Sequence, residues 1–157
     1  TFESQDINAL INDTTALIMT HITVRNKVLK LELDKDLPLT QGDRIQLQQV
    51  LLNLISNGLE AMEENSDSRE LLIKTSRKNT DMVLVEVKDS GQGILAQNRS
   101  KLFTHFFTTK PNGLGMGLPI SRSIVEAHGG RLDAENNSNR GATFYFTIPI
   151  NLKKTDE

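Results

Sequence analysis

Seven of the ten glycines in this chain fall in the single stretch from Asp89 to Gly130. The stretch reads DSGQGI, then LFTHFFTTK, then PNGLGMGLPISRSIVEAHGG. Glycine gives up more backbone entropy than any other residue in a helix or strand. The spaced glycines at 91, 93, 113, 115 and 117 therefore predict irregular chain in the middle of the sequence. From Leu118 to His128, Ile120, Ile124 and Ala127 stand at helical spacing and predict a helix. Free main-chain N–H groups leading into a helix start form an anion site, because the helix dipole adds about half a positive charge there. A polyphosphate is the guest this arrangement fits; the bland alternative is a turn-rich loop with no ligand.

Two phosphate-binding motifs are excluded. A P-loop needs Lys followed by Ser or Thr directly after its last glycine, and Gly117 is followed by Leu118 and Pro119. A dinucleotide fingerprint needs a third glycine three residues after the second, and a strand just before the motif. Leu118 and the breaker-rich segment Phe106 to Pro111 supply neither.

The rest of the chain bounds the problem. Its 157 residues make one domain, taken as 1–157, with enough length for a real core. Eighteen basic and 20 acidic residues leave no bulk field to favour nucleic acid or anionic lipid. There is no cysteine, so disulfides and thiolate metal sites are excluded. No apolar run approaches the roughly 20 residues that span a bilayer. The opening TFESQDIN lacks the basic and apolar regions of a signal peptide and begins inside an amphipathic pattern. A piece of a longer, cytoplasmic protein is therefore expected, with no membrane contact by this domain.

Ile7, Leu10, Ile11, Thr14, Leu17 and Ile18 predict a first helix, and Leu29, Leu31 and Leu33 a strand with one buried face. From Arg44 to about Glu63 a long helix is apolar on most sides, counting Ile45, Leu47, Val50, Leu51, Leu54, Ile55 and Leu59. One stripe on it carries Asn53, Asn57 and Glu60. Leu71–Arg77 and Met82–Lys88 read as strands around a turn at Asn79–Asp81. Arg131–Asn136 and Ala142–Ile148 read as a second pair split by Asn136–Asn139 and Gly141. The expectation is an α+β two-layer sandwich, a mixed sheet of about five strands packed against three helices.

Several polar residues stand where polarity is costly. Val83, Val85 and Val87 share a strand face, and the period of two puts Asp89 on it. A carboxylate there needs donors. It is either a turn residue or an acceptor for the exocyclic amine of a purine. Asn53 and Asn57, one helical turn apart, are either buried amides satisfying each other and nearby loops, or oxygen ligands on one helix face for a hard cation such as Mg²⁺. Lys110 is either a solvated cation or a point-charge clamp on phosphate. His128, at the end of its helix, is read as a partner of the helix dipole rather than a nucleophile.

Taken together and in order, these segments resemble the ATP-binding catalytic domain of sensor histidine kinases, within the gyrase/Hsp90/MutL ATPase superfamily. LQQVLLNLISNGLEAM is similar to the family's asparagine box, DSGQGI to its first glycine box, LFTHFFTTK to its phenylalanine box, and GLGMGLPISRSIVEAHGG to its second glycine box. GATFYFTIPI resembles the closing strand. The likeness runs from about Leu29 to Ile150, and FFTTK and EAM look closest to the nitrogen-regulation and oxygen-sensing type. By matching position it implies ATP and Mg²⁺ as ligands, Asn57 on the metal, and Asp89 on adenine with the Gly91–Gly93 turn beneath the base. Ile94, Phe103, Leu118 and Thr143 belong with the nucleotide pocket. Gly113, Leu114, Gly115, Met116 and Gly117 belong to a hinged lid that carries Lys110, and such lids close on substrate and open for product release. Asn53 stands where hydrolysing relatives carry a water-activating glutamate, and an amide cannot take that proton.

The chain departs from the pattern at Glu60, where many members carry lysine, and at His105, where proline is usual. The resemblance implies an acceptor histidine followed by Glu or Asp on an upstream helical hairpin. His21, His105 and His128 are followed by Ile22, Phe106 and Gly129. The expected activity is thus protein-histidine kinase chemistry toward a hairpin of the same parent protein, with a response regulator downstream. A monomeric fragment of a homodimeric parent is expected. A nucleotide-gated binding module and a gyrase- or Hsp90-like ATPase are the alternatives.

Overall fold

The structure, a computed structural model, describes residues 1–21, 27–62, 69–104 and 117–151. In chain order the elements are β1 (Glu3–Gln5), α1 (Ile7–His21), β2 (Val28–Glu32), β3 (Thr40–Gly42), α2 (Arg44–Ala61), β4 (Glu70–Arg77), β5 (Met82–Lys88), α3 (Ala96–Arg99), α4 (Gly117–Ala127), β6 (Leu132–Asn136) and β7 (Ala142–Pro149). Five strands form one mixed sheet in the order β2-β4-β5-β7-β6. β2 runs parallel to β4, and every other neighbouring pair is antiparallel. α2 packs on β4 and β5, α4 on β6 and β7, and α1 lies beside α2. This is the expected α+β sandwich.

Alternation builds the sheet's inner face. Leu71 and Ile73, then Val83, Val85 and Val87, then Leu132 and Ala134, then Phe144, Phe146 and Ile148 are all buried in one cluster with Leu10, Ile11, Leu47, Leu51, Leu54 and Ile55. α2 is started by Asp43, whose side chain accepts from Gln46 N–H at 3.0 Å, the oxygen cap that helix starts require. α4 is stopped by two bonds: Gly129 N–H reaches Glu126 O, and Gly130 N–H reaches Val125 O, both at 3.0 Å.

Four details differ from the expectation. β1 and β3 form a separate two-stranded sheet, Glu3 opposite Gly42, from residues whose pattern predicts no strand. The short helix α3 lies inside the glycine-rich region. Ile45, counted among the core positions, is 79% exposed. It stands roughly opposite Leu47, Leu51 and Leu54 on the 3.6-residue period, so the apolar face is narrower than the composition implied. His128 bonds its own helix end as expected, but it also reaches beyond it to the start of α2. Its Nδ1 donates to Ile124 O at 2.8 Å, and its Nε2 accepts from Asp43 N–H at 3.0 Å, which is the neutral ring. With Phe2 stacked on it at 4.3 Å, the ring joins the N-terminal strand region, the α2 start and the α4 end.

Candidate functional site

Asp89 follows β5 and is 4% exposed. Its Oδ1 accepts two main-chain donors, Gly91 N–H at 2.8 Å and Ala142 N–H at 3.2 Å. No bond from the described residues ends on Oδ2. Burial is the largest influence on this carboxyl and raises its pKa; the Gly91 and Ala142 bonds oppose it. The result is a half-satisfied carboxylate at a strand end, with one oxygen left over for a donor.

The loop after Asp89 is gripped from two sides. On the first, Gly91 lies on the end of α2, where a methyl would come within 2.3 Å of Ala61 O. Glycine at 91 therefore serves close packing of loop on helix. On the second side lies the β6–β7 hairpin. Gly141, at φ +87°, is pressed so close that a methyl would sit 2.1 Å from Asp89 O. Gly93, at φ +88°, leaves room for Asn136, whose Oδ1 would stand 2.9 Å from an added methyl. Both conformations favour glycine.

The asparagine stripe of α2 borders the same region. A methyl on Gly58, the neighbour of Asn57, would lie 3.8 Å from Asp89 Cβ. Asn57 is half-buried, and no hydrogen bond ties its side chain to the described residues. Its carbonyl oxygen suits a hard cation, which takes oxygen donors. Asn53 is committed elsewhere: its Nδ2 donates to Ser121 Oγ at 3.0 Å and Gly117 O at 3.3 Å. This amide fixes the first turn of α4 to α2. Glu60 is exposed at the end of the stripe.

Phe103 and Leu118 are half-buried against the core, and the Arg122 guanidinium lies over the Phe103 ring at 4.6 Å. That contact joins the chain before residue 105 to the helix after residue 116. Ile94 engages through its main chain with Asn136, at 2.7 and 3.0 Å. Thr143 alternates with Phe144 and Phe146, as the strand period requires, yet it is buried, and its Oγ1 donates to Asn137 Oδ1. Asn136 and Asn137 were read only as turn formers. Lys110, Gly113, Leu114, Gly115 and Met116, with His105, lie outside the described residues.

A two-layer sandwich with an asparagine helix over a buried strand-end carboxylate defines a class. The model of histidine kinase-, DNA gyrase B- and HSP90-like ATPases matches residues 42–152, and the chain belongs to that family. The sensor protein FixL of Bradyrhizobium diazoefficiens is 46% identical over 145 residues, which are 92% of this chain and 28% of that protein. The catalytic domain of histidine kinase ThkA superposes with a TM-score of 0.84 at 36% identity, covering 96% of each chain. A structure of ThkA in complex with the response regulator TrrA is similar at a TM-score of 0.80 and 34% identity, over 98% of this chain and 43% of that one. The likeness to the ThkA domain makes this an ATP-binding catalytic domain of the histidine kinase type. None of its described helices is long and apolar enough to cross a membrane.

Proposed function

We propose that the domain binds Mg-ATP and passes the γ-phosphoryl group to a histidine on a separate helical hairpin of the same parent protein. A response regulator would be the next acceptor. The observation that carries the reading is Asp89: a buried carboxylate with Oδ1 occupied by main-chain donors and Oδ2 left for an exocyclic amine. Asn57, one residue before Gly58 on α2, offers a side-chain oxygen that none of the described residues engages, fit for Mg²⁺, which when bound would neutralise charge on the phosphates. The protein's own share is to hold the base, orient the phosphates and receive the hairpin. Asn53 counts against hydrolysis, since an amide accepts no proton and this one is bonded to Ser121 and Gly117. The fragment is expected to be monomeric, which light scattering at micromolar concentration checks.

The direct test adds a separately expressed acceptor hairpin and γ-labelled ATP. Acid-labile label on the hairpin is expected; its absence would leave only a nucleotide-binding module.

Asn57→Ala should weaken Mg-ATP binding about ten- to a hundredfold, as for loss of one bond to a charged group, and metal-free ADP binding far less. Calorimetry with and without Mg²⁺ measures both. Equal losses would make Asn57 a structural amide.

A further inference from the structure

Two asparagines of the β6–β7 hairpin make bonds that turn formation does not require. Asn137 Nδ2 donates to Asp89 O and Arg140 O, both at 2.9 Å, while its Oδ1 accepts from Thr143 Oγ1. Its own N–H closes the hairpin on Gly141 O at 2.9 Å. One side chain thus fastens the main chain of Asp89, the hairpin tip and Thr143. Asn136 makes a matched pair with Ile94: Ile94 N–H to Oδ1 at 2.7 Å, and Nδ2 to Ile94 O at 3.0 Å. An amide is suited to this, offering a donor and an acceptor side by side in one plane. The two asparagines hold the loop at its first and last residues. Arg140 adds a third tie, from Nε to Ser90 O at 3.0 Å.

We propose that Asn136 and Asn137 are positioning residues for base recognition, holding the Asp89–Ile94 loop so that the Asp89 carboxylate is presented in one fixed orientation. The proposal rests on the reading that Asp89 accepts from adenine. Neither asparagine needs to touch the nucleotide. Their effect passes through the Asp89 main chain and through Ile94, and it is on selectivity. A carboxylate held in place rejects a base that presents a carbonyl oxygen where adenine presents an amine, whereas a loosened one swings aside and rejects it less.

The test is a pair of titrations, ADP and GDP, on wild type, Asn137→Asp and Asn136→Ala, with thermal melts of each. Asn137→Asp keeps size and the acceptor for Thr143 but turns a carboxylate oxygen toward the Asp89 and Arg140 carbonyls. It should lose about tenfold in ADP affinity and a similar factor in ADP-over-GDP preference, the loss set by one or two hydrogen bonds. A purely structural role would lower the melting temperature and leave that preference unchanged. If the wild type prefers ADP and Asn137→Asp keeps both affinity and preference, the proposal is overturned while the Asp89 reading stands. If the wild type takes GDP as readily as ADP, the Asp89 reading itself fails and this inference with it. Should Asn137→Asp not fold, Asn136→Ala decides. It leaves the Asn137 bonds to the Asp89 segment in place, and an unchanged ADP-over-GDP preference in it overturns the proposal.

Discussion

Replacing Asp89 by asparagine is expected to weaken ADP and ATP alike by about ten- to a hundredfold, with or without Mg²⁺, the cost of a lost bond to a charged group. The asparagine retains an oxygen for Gly91 and Ala142 N–H, so the loop keeps its shape. What it loses is the charged acceptor for the exocyclic amine. The same argument makes wild type prefer ATP to GTP, because guanine would set oxygen against oxygen in a buried place. Calorimetric titration of these nucleotides on both proteins is the measurement; undiminished ADP affinity in the variant would remove Asp89 from the site.

The ligand-free variant should move the other way in stability. Burial raises the Asp89 pKa in the folded chain above its ordinary 3.8. A raised acid stabilises the fold only while protonated, so its contribution is full below 3.8 and is lost as pH climbs through the folded value. At neutral pH the ionised side chain burdens the empty protein. Asp89→Asn without nucleotide is therefore expected to melt at or above wild type near pH 7, with that advantage shrinking in acid. A variant that melts lower at pH 7, by a margin that acid leaves unchanged, would show that burial does not govern this group.

Gly141→Ala should be the most disruptive single methyl at the site. The residue sits at φ +87°, and its methyl would come within 2.1 Å of Asp89 O and 2.8 Å of Asp89 Oδ1. Left-handed backbone costs an alanine roughly 1–2 kcal/mol, and forcing a group into packed space adds about 1–3 kcal/mol. Urea unfolding should record a loss of about 2–5 kcal/mol, together with loss of ADP binding. Gly117→Ala is the matched control. Among the described residues its methyl would find nothing nearer than the Asn53 amide carbon at 3.8 Å, so stability should stay within about 1 kcal/mol of wild type. Equal effects at the two glycines would refute the steric account.

Periodicity carried most of the fold into view. α1, α2, α4 and both hairpins follow from apolar residues at helical or alternating spacing, because burial decides those elements. β1 and β3 carry no such pattern. Glu-Ser-Gln and Thr-Gln-Gly are strands because of what they pair with, Ser4 opposite Gln41 and Thr40 also opposite Ile150. Ile45 misled for the opposite reason, since hydrophobic character alone does not place a residue on the buried side. At the site, Asp89 was legible because a strand's period of two carries one residue past its end. Asn136 and Asn137 were not. In a turn-rich string, asparagine is explained by local backbone alone, and their partners Ile94 and Asp89 stand 42 and 48 residues away. Thr143 shows the same limit, its face given by alternation and its hydrogen bond to Asn137 hidden.

The Asp89 carboxylate draws one bond from its own loop and the other from Ala142, 53 residues further along the chain. Neither half of the sequence holds the Asp89 carboxylate in place by itself. The central β5–β7 pairing that joins them has to span the whole glycine-rich region, and closing so long a loop costs entropy before its contacts repay it. A nucleotide that needs both segments in place is expected to bind the native chain in preference to the unfolded one. Nucleotide then acts as a folding ligand by mass action. Each tenfold excess over Kd adds about 1.4 kcal/mol to stability. The rise in melting temperature with ADP becomes a direct gauge of site occupancy, readable without any transfer assay.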